Sequence, residues 1–266
     1  KRGAVWTPDS FSAEGLYDAH RIIVMVKGDS HMTYIFLMAG KGSRLYPLTL
    51  NYPKSLYKLD KDTSILKRMV SMIRKYDADA EIVVVVGFMS EKIREEISEA
   101  VFYENPFYVV TNYIASLWFS RACLERENVT IINGDIVVEE RLVKDYICRR
   151  VKRPEVLIDS SIKNSGDYNV QVNDGRILVM SKELEDYYGE YAGITKLDQE
   201  SSLNLKRCVE QMVQGGMYDQ WYENALVQMI FNEDFQLYYK DIREYRWTEV
   251  DCVSDMLLAK QIHMQR

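Results

Sequence analysis

Short apolar runs alternate with amphipathic segments through the first half of the chain, and this alternation constrains the fold more than any other feature of the sequence. The run "EIVVVVG" at 81–87 contains four consecutive valines, which is typical of a strand buried on both faces. Strands of this kind separated by helices build βαβ units, in which a parallel sheet is covered by helices. We therefore predict an α/β protein with three layers and a mixed, mostly parallel sheet. The predicted strands lie near 34–38, 81–87, 107–110 and 129–134, and the predicted helices near 63–76, 90–99 and 115–125.

The second half of the chain has a less regular pattern. In "VQVNDGRILVM" the residues Asn173-Asp174-Gly175 join two alternating segments, which predicts a β-hairpin. No internal repeat or linker divides the chain, so we expect one domain over 33–266, with a substrate-facing subregion at 160–230. The remaining predicted elements are helices near 199–214 and 220–231, short strands within 235–248 and a closing helix from about 252.

Residues 1–32 do not fit this pattern. The tripeptide Ser30-His31-Met32 resembles a cloning junction, and Met32 would be a natural first residue for the fold. We expect the segment 1–32 to be an extension, a cloning-derived segment or the remnant of a preceding domain. Fusion to a partner domain and homo-oligomerisation are both left open by the sequence.

Composition and charge exclude several classes of function. The formal net charge is −6, whereas recognition of a phosphate backbone usually requires a basic excess, so we expect no nucleic-acid partner. The four cysteines are widely spread and the chain has three histidines, which indicates neither a zinc site nor a disulfide framework. No apolar run approaches the roughly 18 residues of a membrane span. We expect a cytoplasmic protein without a membrane span.

The segment directly after the first predicted strand is unusually rich in glycine, proline and basic residues. Gly40 and Gly42 allow left-handed backbone and close approach of a ligand to main-chain N–H groups. The basic residues of this segment occur with no acidic residue between Gly40 and Leu59. A loop of this composition is suited to an anionic ligand, although a solvated surface turn has a similar composition. The basic residues are Lys41, Arg44, Lys54 and Lys58.

The spacing within this loop resembles the signature G-x-G-x-R-x-x-P-x-T-x-x-x-P-K of the nucleotidyltransferase family, which joins a nucleoside triphosphate to a phosphorylated small molecule. The match has no gap or substitution. The resemblance implies a nucleotide-diphospho-sugar transferase-like fold. It also implies that main-chain N–H groups around Ala39, Gly40 and Gly42 bind the triphosphate together with Arg44. By the same resemblance Lys54 contacts the second substrate and the reacting α-phosphorus, so Arg44 and Lys54 are the expected catalytic residues. The matched residues are Gly40, Gly42, Arg44, Pro47, Thr49, Pro53 and Lys54.

A triphosphate requires a cation, and Mg²⁺ prefers carboxylate oxygens together with water and phosphate oxygens. Asp135 follows the predicted strand 129–134 at the edge where ligands of open α/β sheets bind. Asp251, in "WTEVDCVSD", precedes the closing helix. Both resemble the metal-binding aspartates of the family, and we expect both to bind Mg²⁺, although an aspartate at a strand end or helix N-cap is often structural. We expect Glu249 and Asp255 to support the ligands or to cap the helix.

Three further positions resemble the nucleotide site of the family. Gly87 precedes Phe88 where the family has Gly-Tyr, and "TNYIASL" supplies Asn112 and Ser116 near the expected base pocket. Asn112 and Ser116 are equally typical of a turn and a helix cap.

The second substrate is harder to predict. Family members acting on sugar 1-phosphates usually carry a Glu-Lys-Pro segment, which this chain lacks. The segments "SKEL", "YAGITKL" and "WYENALVQMI" resemble bacterial cytidylyltransferases acting on phosphocholine or 2-aminoethylphosphonate. A cationic head group binds to aromatic faces and carboxylates, but aromatic residues at helical spacing more often belong to the core. The candidate substrate-binding residues, in addition to Lys54, are Tyr168, Asp219, Trp221, Tyr222 and Glu223.

These features together predict a Mg²⁺-dependent cytidylyltransferase. Its partners would be CTP and a small cationic substrate that carries a phosphate or phosphonate, such as phosphocholine or 2-aminoethylphosphonate. One alternative is a sugar-1-phosphate nucleotidyltransferase that uses UTP or dTTP. Another is a nucleotide-sensing module without catalytic activity.

Overall fold

The computed structural model describes residues 31–163 and 168–265. The expectation for 1–32 therefore lies outside the described residues, except at its last two positions. In the described part of the chain, no helix is both long and apolar enough to span a membrane.

One large mixed sheet forms the centre of the molecule, with the strand order β3-β2-β1-β4-β9-β6-β10-β8-β7. Strands β5 and β11 form a separate antiparallel pair. The strands are β1 Thr33–Leu37, β2 Glu81–Val86, β3 Val101–Glu104, β4 Asn128–Asn133, β5 Ile136–Val138, β6 Glu155–Asp159, β7 Asn169–Asn173, β8 Arg176–Ser181, β9 Gly189–Asp198, β10 Tyr238–Asp241 and β11 Trp247–Glu249.

Helices cover both faces of the large sheet. Side chains alternate across a strand, so Ile35 and Leu37 of β1 pack with α3, α5 and α6. Tyr34 and Phe36 pack on the opposite face with α1, α2 and α4. This three-layer arrangement explains why β1 is apolar at nearly every position. The helices are α1 Ile65–Tyr76, α2 Ser90–Glu96, α3 Tyr113–Phe119, α4 Glu140–Leu142 with a wider turn over Val143–Ile147, α5 Gln199–Gln214, α6 Glu223–Glu233 and α7 Val253–Met264.

The predicted α/β class and mixed sheet are confirmed, but several strands differ from the sequence-based prediction, which also has no counterpart of β5 and β6. The strand predicted at 107–110 is wrong: the strand is β3, and the later residues form turns. There the Asn105 side chain accepts a hydrogen bond from the backbone N–H of Phe107 at 3.0 Å, and local bonds of this kind compete with strand pairing.

The sequence pattern also missed β9, the longest strand of the sheet. It pairs with β4, β6 and β7, and nine of its ten residues are buried. The polar residues Glu190 and Lys196 interrupt the apolar pattern, so the sequence does not indicate a buried strand here. Lys196 is tolerated because its ammonium donates to the main-chain oxygens of Tyr146, Ile147 and Arg149, which satisfies a buried cationic group.

The connections place a topological switch between β1 and β4. From β1 the chain moves to β2 and β3 on one side, whereas β4 lies on the other side, and β1 pairs in parallel with both neighbours. In open α/β sheets, ligands bind at the carboxyl ends of the strands at such a point. Leu37 and Asn133 are paired there, so the loops that follow both strands leave the sheet side by side.

Candidate functional site

The loop after β1 is folded around Gly42. This residue has φ +63°, a conformation that glycine adopts without a steric penalty. Its carbonyl accepts a hydrogen bond of 2.7 Å from the buried Thr49 hydroxyl, and a Cβ at position 42 would lie 3.1 Å from Lys54 Cβ. Thr49 and Lys54 therefore pack against the same glycine, which makes the two halves of the sequence motif one structural unit.

Several main-chain N–H groups of the loop after β1 have no internal acceptor. Within the described ranges, the N–H groups of Gly40, Lys41, Gly42 and Ser43 have no hydrogen-bond acceptor. Gly40 lines the cleft, and a Cβ at position 40 would meet no atom within 4 Å. Successive N–H groups of this kind form a concave site for anions.

Two cations of the loop meet two aspartates from distant parts of the chain. Lys54 Nζ contacts Asp135 Oδ2 and lies 2.8 Å from Asp251 Oδ1, and Arg44 lies 2.7 Å from Asp251 Oδ2. Burial lowers the pKa of Lys54, but the carboxylates of Asp135 and Asp251 outweigh burial and raise the pKa above its ordinary value. Lys54 therefore remains a cation at any physiological pH.

Asp135 and Asp251 meet because of strand pairing. Asp135 directly precedes β5, and Asp251 follows β11 by two residues; β5 and β11 pair in an antiparallel manner. The N–H of Val250 also donates to the Asp135 carbonyl at 3.0 Å. Asp255 does not enter the site, because its Oδ2 caps α7 by accepting from the N–H groups of Asp251 and Cys252.

Glu249 lies close to the two aspartates, although the sequence analysis did not select it as a metal ligand. One carboxylate oxygen from each of Asp135, Glu249 and Asp251 lies within 4.8 Å of the others. Residues 249 and 251 share one face of an extended segment because side chains alternate there, and this spacing is a usable sequence signal.

The donor set fits a hard divalent cation. Asp135 is 2% exposed, and its Oδ1 is buried without a hydrogen-bond partner. Asp135 and Asp251 pair with the two cations Lys54 and Arg44, and Glu249 adds a third carboxylate to the cluster. Carboxylate oxygens at this spacing are the ligands that Mg²⁺ prefers.

The remaining residues predicted for the nucleotide occupy different environments. Ala39 and Gly87 pack together: a Cβ at 87 would lie 2.8 Å from the Ala39 carbonyl. Asn112 lines the cleft, and its side chain caps α3 by accepting from Tyr113 N–H at 2.8 Å. Ser116 lies away from the cleft; it is buried, and its hydroxyl accepts from Asn105 Nδ2 at 3.1 Å.

The aromatic cage predicted from the sequence is not assembled. Tyr168 is 8% exposed and donates to Asn224 Oδ1 at 2.9 Å. Tyr222 is fully buried, with its hydroxyl bonded to those of Tyr191 and Thr195. Both rings are core residues, because their hydroxyls are satisfied inside the fold.

Trp221 and Asp219 also belong to the predicted substrate-binding group. Trp221 lines the cleft, and Lys182 Nζ lies 4.3 Å above its ring. Asp219 is exposed and accepts from the side chain of Gln220 at 3.0 Å. Of the three predicted aromatic residues, Trp221 alone lines the cleft.

Glu223 is a buried acid at the start of α6. It is 2% exposed, and burial raises its pKa to about 8, although hydrogen bonds from its own N–H and from the Asn133 side chain oppose this shift. Tyr113, which the sequence analysis did not select, lines the cleft. Burial, followed by the charges of Asp135, Glu249 and Glu223, raises the pKa of Tyr113 well above its ordinary value.

The assembled cleft has a volume of about 250 Å³. Its walls come from five segments: the loop after β1, the start of α3, the residues after β4, Trp221 before α6, and Asp251 after β11. The lining residues are Leu37, Met38, Gly40, Gly42, Ser43, Arg44, Leu45, Pro53, Lys54, Ser55, Asn112, Tyr113, Gly134, Asp135, Trp221 and Asp251.

Known proteins match this chain over part or most of its length. The family model described as nucleotidyl transferase matches residues 33–160. The chain is 24% identical over 232 residues to a 2-aminoethylphosphonate cytidylyltransferase of Lancefieldella rimae, covering 86% of this chain and 85% of that protein. It is 34% identical over 116 residues to the bifunctional protein GlmU of Methanococcus maripaludis. That match covers 42% of this chain and 26% of GlmU, so the chain spans about a quarter of that relative.

A solved structure shows the same fold. The CTP:phosphocholine cytidylyltransferase of Streptococcus pneumoniae superposes with a TM-score of 0.72 and 18% identity. The match covers 88% of this chain and 99% of that one.

Proposed function

We propose that this chain is a nucleotidyl transferase, as the family-model match over residues 33–160 supports, and that it transfers a cytidylyl group from CTP to a small acceptor and releases pyrophosphate. The acceptor would carry a phosphate or phosphonate at one end and a cationic group at the other. The observation that carries the proposal is the convergence of Lys54 with Asp135 and Asp251 at the switch point of the sheet. The relatives that align over most of this chain supply the choice of CTP.

The chemistry asks the protein for positioning and charge neutralisation. An ionised acceptor oxygen attacks the α-phosphorus of CTP, a new P–O bond forms, and the bond to the departing pyrophosphate breaks. No general base is needed because the acceptor is already ionised at neutral pH. Lys54 and Arg44 are the side chains that would stabilise the charge developing on the phosphoryl oxygens.

The N–H groups of the loop would hold the triphosphate next to these cations. Gly40, Gly42 and their neighbours offer main-chain donors, and the adjacent positive side chains add attraction at short range. Asp135, Glu249 and Asp251 would bind Mg²⁺, which supplies additional positive charge to the triphosphate when bound.

A pyrophosphate-release panel tests the proposal. CTP, UTP, dTTP and ATP are each combined with phosphocholine, 2-aminoethylphosphonate and glucose 1-phosphate in the presence of Mg²⁺. We expect release with CTP and at least one of the two cationic acceptors. Release only with UTP or dTTP and glucose 1-phosphate would establish the sugar-nucleotide alternative. CTP binding without turnover in any combination would indicate a sensing module.

A further inference from the structure

A second cavity lies at the edge of the large sheet opposite the cleft. Its volume is about 410 Å³, and it shares no lining residue with the cleft. The segment 149–153, which lines it, is fixed to the first residue of β4, because the N–H of Val151 donates to Asn128 Oδ1 at 3.3 Å. Asp135 lies two residues beyond the last residue of the same strand. The length of β4 therefore separates the two sites.

Basic side chains dominate the lining of this cavity. Five of its nine lining residues are basic and one, Glu155, is acidic, although the chain as a whole has a formal net charge of −6. Four of the basic residues fall within 149–153, and all four are exposed. A concave surface lined by one sign of charge concentrates ions of the opposite sign. The basic lining residues are Arg149, Arg150, Lys152, Arg153 and Lys196.

Lys196 fixes the backbone from which the exposed cations project. Its buried ammonium donates to the carbonyl oxygens of Tyr146, Ile147 and Arg149. All three N–H donors of this ammonium are therefore used, and they are not available to a ligand. Lys196 holds the chain at 146–149, so the cations of the next residues follow from a fixed point beside the cavity.

Two of the exposed cations are left without a partner in the described part of the chain. Arg149 and Arg153 lie 3.9 and 3.4 Å from a carboxylate oxygen. Arg150 and Lys152, by contrast, donate no hydrogen bond and form no ion pair within 31–163 and 168–265. The main-chain N–H of Arg153 has no acceptor in these ranges either. The segment therefore offers two side-chain cations and three main-chain N–H groups to a ligand.

The chemistry of this surface favours phosphate groups. Guanidinium groups bind phosphate through two parallel hydrogen bonds, and an ammonium adds a point charge. Main-chain N–H groups next to such cations also bind anions. A membrane surface fits less well, because binding in the interface buries exposed apolar side chains. The apolar and aromatic residues that line the cavity are all buried or half-buried, namely Tyr146, Val151 and Leu157.

We propose that this cavity is a second anion site, separate from the cleft, and that its ligand is a small molecule with two or more linked phosphate groups. Arg150 and Lys152 would contact the phosphates directly. A ligand with several phosphates matches the excess of cations, whereas a single phosphate leaves part of that excess uncompensated. The site does not depend on the proposed cytidylyl transfer, because no residue of the cleft takes part in it.

Chemical footprinting of Lys152 tests the site independently of turnover. The full chain is acetylated with sulfosuccinimidyl acetate in about 0.15 M salt, where exposed charges more than about 8 Å apart are largely screened. Mass spectrometry gives the rate at each lysine, and inorganic tripolyphosphate is the probe. We expect it to slow acetylation of Lys152 at least about fivefold, as a charge-assisted contact to the ammonium requires. Lys61, an exposed lysine outside the cavity, should change less than about twofold.

Substitution of Arg150 leaves the reporter lysine in place. Arg150→Ala should raise the tripolyphosphate concentration for half-protection of Lys152 at least about tenfold, because it removes a charge-assisted contact. Arg243→Ala is the matched control, since Arg243 is also exposed but pairs with Asp241 and does not line the cavity. This control should leave the half-protection concentration unchanged. Lys54→Ala should leave it unchanged as well, because tripolyphosphate bound in the cleft does not cover Lys152.

Further probes distinguish the possible sources of the phosphate groups. Protection of Lys152 by tripolyphosphate and pyrophosphate but not by CTP would support a free oligophosphate as the ligand. Protection by CTP in addition would support a ligand class that includes nucleotides. Protection by vesicles of phosphatidylglycerol and phosphatidylcholine without protection by tripolyphosphate would overturn the proposal in favour of a membrane surface.

Four other results would overturn the proposal. These are no protection of Lys152 by tripolyphosphate, an unchanged half-protection concentration in Arg150→Ala, loss of protection in a folded Lys54→Ala protein, and equal protection by sulfate at the same ionic strength. The last result would indicate an adventitious ion only. Since none of them involves turnover, the pyrophosphate-release panel decides the proposed cytidylyl transfer separately.

Discussion

Among single residues, Lys54 makes the contacts that connect the loop after β1 with Asp135 and Asp251. Its ammonium lies between carboxylates that are far apart in the sequence, and its side chain is 16% exposed. Removing one member of a buried ion pair leaves the other charge uncompensated. Lys54 therefore has a structural effect on Asp135 and Asp251 in addition to its proposed action on the phosphoryl group.

We expect Lys54→Ala to lower kcat/KM at least about a hundredfold, because it removes a cation that stabilises the developing charge. Pyrophosphate release measures the effect, and circular dichroism establishes that the variant is folded. Lys58→Ala is the control, since Lys58 pairs with Glu96 rather than with the aspartates. Near-normal release by a folded Lys54→Ala protein would contradict the assigned role.

Glu223 makes the opposite kind of contribution, because its burial lowers stability. Its pKa is raised from 4.5 to about 8, so the folded state retains a proton that the unfolded chain has already released. The number of bound protons is then larger in the folded state, and stability falls as pH rises between these two values.

We expect urea unfolding of the wild-type protein to show this loss between pH 4.5 and about 8. The free energy of unfolding of Glu223→Gln should vary less over the same interval and should exceed that of the wild type at pH 8. Glu233→Gln, which makes the same change at the other end of α6, where Glu233 pairs with Arg207 at the surface, should follow the wild-type profile. A Glu223→Gln profile parallel to that of the wild type would show that this carboxyl titrates normally.

At the scale of elements, the loop after β1 is the part of the fold most directly encoded. Gly42 is left-handed, Thr49 binds its carbonyl, and Lys54 packs against it. Each feature needs one residue type at one position. The position of Lys54 therefore depends on interactions within the loop. The position of Asp251 depends instead on strand pairing between distant parts of the chain.

A pair of glycine substitutions separates strain from displacement. Gly42→Ala and Gly175→Ala both place Cβ on a left-handed residue, with φ +63° and +74°, at a cost of about 1–2 kcal/mol each. A Cβ at 42 would also press on Lys54, whereas one at 175 would meet nothing within 4 Å. We expect both variants to lose thermal stability and only Gly42→Ala to lose kcat/KM, by about tenfold or more, because small displacements of positioned groups are costly. Equal kcat/KM values for the two variants would refute a positioning role for Gly42.

For the whole molecule, the cleft connects segments that are distant in the chain. The loop after β1, the end of β4 and the end of β11 each provide one side of the site. A ligand bound between them stabilises only the folded state, because the unfolded chain does not bring these segments together.

We expect CTP with Mg²⁺ to raise the melting temperature. At a ligand concentration of about 100 times Kd the stabilisation is about 2.7 kcal/mol, which corresponds to roughly 5–10 °C for a protein of this size. EDTA should abolish most of the shift. Asp251→Asn should reduce it, whereas Asp145→Asn, which alters a surface pair with Arg149, should not. A full shift in the presence of EDTA would rule out a metal requirement for binding.

The sequence alone predicts features that depend on neighbouring residues. The strand β1, the glycine loop and the hairpin turn at Asp174 and Gly175 depend on local periodicity and backbone preference, and the structure has all three. The resemblance of the loop to a family signature extended this reading to Asp135 and Asp251, which meet as the resemblance implied.

Tertiary packing alone decided the rest. Strand β9 is central although it carries Glu190 and Lys196, because neighbouring main-chain groups satisfy its buried lysine. Tyr222 is core and Trp221 is a cleft residue although they are adjacent in sequence, because tertiary packing buries the Tyr222 ring and leaves Trp221 at the cleft. Asn133 at the end of β4 and Glu223 at the start of α6 are both buried polar residues, and no local pattern in the sequence indicates this burial. Contacts between residues far apart in the chain leave no local pattern in the sequence. The sequence determines these contacts, but they cannot be predicted from periodicity or motifs.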